Sequence, residues 1–277
     1  MKHTKKIAIV ALLASPFLSV RAYAQEMPVV VNSVEASYVG LAVGFIPDYV
    51  GSDDYTYGIA PAFRYQFDEQ RFVELTANYL DANILNSSTW RFGPAFRYRF
   101  GRDGDVDDLV VKNMSDIDDT IEGGVTAYGT WILGNDPRHR VTAGADALWD
   151  LGDASGGYSS NVFARYWAPV SRAIDVGVAG NFQYSDENFN DTYFGVSAAD
   201  STASGLPTFN ADSGVTSYSI MPMAMIHLSR EWHVGVGFRY QKLAGDAADS
   251  PIVEDRGDDS QWVGGIGLVY SWDLGTN

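Results

Sequence analysis

RFGPAFRYRFGR, residues 91–102, decides how this chain must be read. Every second residue from Phe92 is aromatic or proline: Phe92, Pro94, Phe96, Tyr98 and Phe100. Between them stand Arg91, Gly93, Ala95, Arg97 and Arg99. A strand sends alternate side chains to opposite faces, so this stretch has one aromatic face and one small or cationic face. In a soluble sandwich the aromatic face meets a second sheet. In an outer-membrane barrel it meets lipid, and the arginines line the lumen.

The rest of the chain repeats the pattern. TYGIAPAFRYQF (56–67), AIDVGVAGNFQY (173–184) and WHVGVGFRY (232–240) alternate in the same way. Weaker alternation runs through 38–46, 71–80, 121–133, 139–151, 158–168, 216–228 and 261–272. Aromatic residues such as Trp90, Trp131, Trp149, Tyr166, Tyr270 and Trp272 gather toward the ends of these runs, as the girdles at two lipid–water boundaries require. The expected fold is all-β, an antiparallel transmembrane β-barrel. Eleven strands are clear, and bacterial single-chain barrels use an even number. DTYFGVSAA (191–199) would make about twelve strands; ten remain if one run is spurious.

Parity assigns the faces. Phe63, Tyr65, Phe92, Phe96, Tyr98, Phe100, Trp232, Phe238 and Tyr240 are expected toward lipid. Arg64, Glu74, Arg91, Arg97, Arg99, Asp146, Arg165, Asp175 and Arg239 are expected toward the lumen. Charges inside a narrow barrel need partners, but parity does not say which pairs form. The inward arginines can form an anion-attracting constriction, or be neutralised by inward carboxylates in a filled interior. The small barrel favours the filled interior.

Residues 1–24 have the form of a signal peptide: MKHTKK, an apolar run, and Ala22-Tyr23-Ala24 as cleavage site. That leaves 25–277 as one outer-membrane barrel domain with long acidic loops. Removal takes four of the 19 Lys and Arg and none of the 35 Asp and Glu, moving the net charge from −16 to −20. Such an acidic chain is a poor nucleic-acid binder. No later run is long and apolar enough for a membrane helix. The absence of cysteine excludes thiolate chemistry and a disulfide framework.

The connections sort by length. DEQ (68–70) and SRE (229–231) read as tight periplasmic turns, and 47–55, 199–215 and 244–260 as long outer loops. The long acidic segment 101–119 falls in the periplasm when the twelfth strand is 191–199, and outside if the extra strand comes earlier. The loop 199–215, with Phe209 as an exposed apolar anchor, is the expected surface-contact segment, and Tyr193 and Phe194 are expected on a strand.

Four stretches together resemble the MipA/OmpV family of outer-membrane proteins: PDYVGSDDY (47–55), RFGPAFRYRFGRD (91–103) followed by DIDDTIEGG (116–124), TYFGVSAADSTASGLPTF (192–209) and KLAGDAADSPIVEDRG (242–257). The resemblance covers essentially the whole chain after residue 24. It implies an outer-membrane barrel without known catalytic residues. It further implies a scaffold that joins a periplasmic murein lytic transglycosylase to a murein synthase, or else an adhesin or porin-like protein acting through its loops or lumen. The chain departs from the usual pattern at its end, where Tyr270 and Trp272 are followed by Asp-Leu-Gly-Thr-Asn rather than closing the sequence.

Nothing in the sequence assembles an enzyme, a cofactor site or a metal site. DGDVDD (103–108) spaces its aspartates like a calcium loop, but Asp108 stands where glycine is needed and Met114 where glutamate is needed. Loose cation bridging between acidic loops and lipopolysaccharide stays open. His139, His227 and His233 lack zinc-site spacing, and the last two read as hydrogen-bonded groups near a lumen mouth. Ser219 lies eight residues from His227 on one strand, far beyond hydrogen-bond reach.

Overall fold

The computed structural model describes residues 36–272, so the expected signal peptide (1–24) and the tail after Trp272 lie outside the described residues. Twelve strands are present: β1 Ser37–Pro47, β2 Tyr55–Gln66, β3 Phe72–Thr76, β4 Tyr79–Asn83, β5 Trp90–Arg99, β6 Thr120–Ile132, β7 Arg140–Asp150, β8 Tyr158–Pro169, β9 Ile174–Ser185, β10 Gly214–His227, β11 Trp232–Leu243 and β12 Ser260–Trp272. Each pairs antiparallel with its sequence neighbours, and β1 pairs with β12 to close the barrel. Among the described residues no helix is long and apolar enough to cross a membrane. Closure joins the two ends of the sheet into a ring, the one arrangement besides a helix that satisfies the backbone in lipid.

The opening stretch is β5. Phe92, Phe96 and Tyr98 stand on the outside, each 41 % exposed, while Ala95 and Arg99 are buried inside. Phe63, Tyr65, Trp232 and Phe238 are likewise exposed on the outer wall, and Tyr240 is half-buried there. Phe100 follows the end of the strand at Arg99, and its ring meets that of the outward Tyr98 edge-on at 4.9 Å. Two belts of aromatic pairs ring the barrel. At the end carrying the short turns are Trp90–Trp131 and Trp232–Tyr270; at the other end are Phe45–Tyr55, Trp149–Tyr158 and Tyr240–Trp262.

The strand count of twelve is met by a different twelfth strand. The run 71–80 is not one strand but the hairpin of β3 and β4, turning at Ala77, whose φ of 55° is left-handed. Leu75 and Leu80 both point outward, an odd separation that one straight strand forbids. Residues 191–199 are not a strand. Glu187–Phe194 forms helix α1 and Ala198–Ser204 forms helix α2, so Tyr193 and Phe194 are helical. Ser197 caps α2 by accepting the Asp200 N–H at 3.1 Å while its hydroxyl donates to the Asp200 carboxylate at 2.7 Å, and Gly205 ends the helix at φ 82°. Because the extra strand comes early, segment 101–119 joins β5 to β6 at the end that carries the other long connections, not at the short-turn end.

Gly93 shows how tightly the wall is drawn. A Cβ there would lie 1.8 Å from the Ala82 carbonyl oxygen on β4. At Gly180 on β9 the nearest atom to an added Cβ is 3.8 Å away. Gly93→Ala should therefore destabilise the folded barrel by about 1–3 kcal/mol, and Gly180→Ala by much less. Urea unfolding from lipid vesicles measures both, and equal losses would contradict the register of β4 and β5.

Candidate functional site

Four connections share one end of the barrel: 48–54, 100–119, 186–213 and 244–259. They do not splay into solvent. Tyr49 from the first, Val106, Val111 and Met114 from the second, Val196 and Leu206 from the third and Ile252 from the fourth form one buried apolar cluster. Ile252 lies in helix α4, Pro251–Glu254, which follows helix α3, Asp246–Asp249. A second cluster joins Phe189, Tyr193 and Phe194 of α1 to Leu243 and Val253, nearer the lumen. The loops thus fold into a lid with its own core. Phe209, expected as an exposed anchor, is instead half-buried, bridged to Val196 and packed against both clusters. Adjacent apolar side chains of different loops are worth more to each other than to water, which converts loops into a cover.

Polar contacts stitch the same loops together. The Arg256 guanidinium donates to Asp108 at 2.6 Å, the Ser115 N–H to Asp200 at 2.6 Å, and the Ser250 hydroxyl to the Phe194 carbonyl at 2.6 Å. Gln261 at the start of β12 accepts the Gly51 N–H at 3.0 Å and donates to the Ser52 carbonyl at 2.8 Å. Burial alone pushes the Asp108 carboxyl up; Arg256 and the N–H groups of Val110 and Val111 outweigh it and hold the group below its usual range. Asp108 is therefore a fastening of the lid. Among the described residues no cluster of three or more His, Asp or Glu is arranged to hold a metal.

Beneath the lid the interior divides into two walls. On β2–β8 the wall is ionic. Arg64 pairs with Glu74 at 3.3 Å, and the Tyr38 hydroxyl donates to the same carboxylate. Arg99 meets Glu122 with two hydrogen bonds, at 2.6 and 3.1 Å, and Arg97 approaches it at 3.6 Å. The Arg99 guanidinium also lies over the rings of Phe189 and Tyr193, so the lid rests on a lumen cation. Asp146 accepts from Asn161 at 2.8 Å, Arg165 stacks on Phe163, and Arg91 reaches Gln70 at the short-turn rim. The other wall, on β1, β2 and β9–β12, is small and apolar, with Met221, Met223 and Met225 around Trp167. Arg239 is the buried cation on that side.

At the short-turn end, Asp175 is wholly buried between Arg138, at 3.1 Å, and His227, at 2.8 Å. The row continues from His227 Nδ1 to His233 Nδ1 at 2.7 Å and from His233 Nε2 to the Ser271 hydroxyl at 2.9 Å. With both rings neutral, one arrangement satisfies every contact: Ser271 donates to His233, His233 to His227, and His227 to the Asp175 carboxylate. The row ties β9 through β12 together.

Glu122 and Arg138 hold partners of residues singled out from sequence but were not singled out themselves. Glu122 sits at inward parity beside outward Ile121, a signal the sequence contains. Arg138 lies in a turn, where no periodicity points. Replacing Glu122 by Gln leaves Arg97 and Arg99 without the carboxylate both share. The variant should lose about 3–5 kcal/mol of stability. A loss within experimental error on urea unfolding would show that these arginines draw their stabilisation elsewhere.

Comparison with known proteins agrees with this architecture. An MltA-interacting protein of Escherichia coli K12 is 26% identical over 245 residues, covering 84% of this chain and 89% of that one. A protein named as outer membrane protein YiaT from Escherichia coli O157:H7 is 26% identical over 271 residues, covering 93% and 96%. Among solved structures, the NanC porin aligns with a TM-score of 0.50 at 9% identity, over 84% of this chain and 98% of that one, a likeness of fold. The barrel is an outer-membrane protein. A family model described as MltA-interacting protein MipA matches residues 39–272, from the first strand to the end of the last, and the chain belongs to that family.

Proposed function

We propose that this barrel holds partners rather than turning over a substrate or passing solutes, and that its partners are murein-processing enzymes. The observation that carries the reading is the lid: four loops share one buried core and close over a lumen whose charges are largely paired. Membership of the MltA-interacting family supports a lytic transglycosylase and a murein synthase as the proteins held. Barrel convention puts the short turns in the periplasm. The docking surface is then the rim of turns at 67–71, 133–139, 170–173 and 228–231, which carries both signs of charge. The outer wall meets membrane lipid, and the acidic lid faces lipopolysaccharide.

A second reading, a surface adhesin, is favoured by one observation. The segment 101–119 lies in the lid, with Leu109 68% exposed on it. That removes the large periplasmic surface a scaffold would draw on. Porin-like conduction is the third option, and it requires the lid to open.

Two measurements separate these. A photo-crosslinking residue at Val170, exposed on a short turn, should capture a murein lytic transglycosylase in cells, and one at Leu109 should not. Capture of extracellular material at Leu109 alone would replace the scaffold with the adhesin. In planar bilayers the protein should show no steady conductance at neutral pH. Because the folded lid holds Asp108 below its usual range, that pairing is complete at neutral pH and is lost as pH falls through the folded value. Conductance should rise on such acidification, and Asp108→Asn should conduct at neutral pH. Steady conductance of the unaltered barrel at neutral pH would overturn the closed lid.

A further inference from the structure

The lumen holds a cavity that the ionic wall does not fill. Its volume is about 110 Å³. Met223, Met225, Trp167, Ala60 and Arg239 line it together with Gly235, which stands directly cross-strand from Met225. Gly235, Gly237, Gly265 and Gly267 also line it, and larger side chains there would reduce it further; Met225 already lies over Gly235, its Cε 3.2 Å from where a Cβ would stand. A cavity of about 150 Å³ lined by aliphatic and aromatic groups stays dry and takes up benzene, so this one is of a size for a short apolar segment. Methionine side chains around it adapt their shape to a guest.

The cavity also reaches the wall at a weak place. The hairpin of β3 and β4 is short, and β3 pairs with β2 only over Ala62–Gln66. The half of β2 nearer the lid, Tyr55–Pro61, has β1 as its strand neighbour among the described residues. Ala60, Pro61, Thr76 and Ala77 border both this notch and the cavity. The notch thus sets the cavity's border against the part of the wall with the fewest strand pairings.

We propose that the lumen binds a single-chain amphiphile drawn from the membrane, its apolar tail along the methionines of β10 and the small residues of β11, β12 and β2 and its anionic head at Arg239. Arg239 is 5% exposed, so a carboxylate beside it gains a charge-assisted hydrogen bond with little competition from water. The site is separate from the rim and from the lid surface, and stands whichever partner the protein holds.

The test uses the whole barrel in lipid nanodiscs, labelled with ¹³C at the methionine methyl groups, with octanoate as probe and octanol as its neutral counterpart. The signals of Met221, Met223 and Met225 should shift saturably with octanoate, while that of Met114, in the lid core, stays in place. Arg239→Gln should weaken octanoate about tenfold and leave octanol nearly unchanged, since one charge-assisted contact is lost. Gly235→Leu and Ala60→Phe, which fill the cavity from β11 and from β2, should each abolish both responses. Shifts that grow linearly, or that include Met114, would mean partition into the lipid and would overturn the site. Equal loss of octanoate and octanol in Arg239→Gln would overturn the role of the head group. If neither filling variant folds, the unaltered barrel and Arg239→Gln still decide the question.

Discussion

The structure depends on closing a hydrogen-bonded ladder in a medium that offers no hydrogen bonds. Each backbone N–H or C=O left bare in lipid costs several kcal/mol, so β1 must find β12 and every intervening register must hold. The pairing of Val39 with Tyr270 and of Phe45 with Gly264 is where this ring closes. The outward aromatic pairs at both ends mark the depth over which that constraint acts. The short hairpin of β3 and β4 is the one place where the ladder is thin, and the cavity lies against it.

Closure fixes what the interior can be. A barrel of twelve strands leaves a narrow lumen, and charges inside it have to meet each other. Arg64 with Glu74 and Arg99 with Glu122 neutralise one wall, and Arg138 with Asp175 the short-turn end. Such buried pairs contribute modest net stability, but removing one member exposes the other to the full desolvation cost. The opposite wall carries small residues and methionines at mid-height, with Arg239 as its buried cation. The lumen is therefore amphipathic across its width.

The lid follows from the same economy of surface. Long loops at the open end carry Tyr49, Val106, Leu206 and Ile252, residues that would be exposed if each loop stood alone. Folding the four loops onto one another buries them, and Arg99 ties the result to the barrel through the rings of α1. The stretches that carry the family resemblance are largely these loops. The shared wording of the sequence thus records how the lid fits together at least as much as how the wall spans the membrane.

How much was legible in advance depends on the range of the interaction concerned. Alternation is a local property, so the strands, their faces and the aromatic belts could be read from Phe92 to Phe96 and from Trp232 to Phe238 without a structure. The hairpin at Ala77 was legible too, since outward Leu75 and Leu80 break parity, but only to a reading that tested parity across the whole run. Ser197 and Asp200 likewise announce the start of α2, against an apparent strand. The sequence by itself determined an all-β barrel, its outward and inward sides, and that no run after residue 24 is apolar and long enough for a membrane helix. Only the tertiary structure decided that 101–119 belongs to the lid, that Glu122 serves two arginines, that Arg138 and His227 share Asp175, and that small residues from several strands leave a cavity. Those contacts join positions far apart in the chain, and their geometry exists only once the ring has closed.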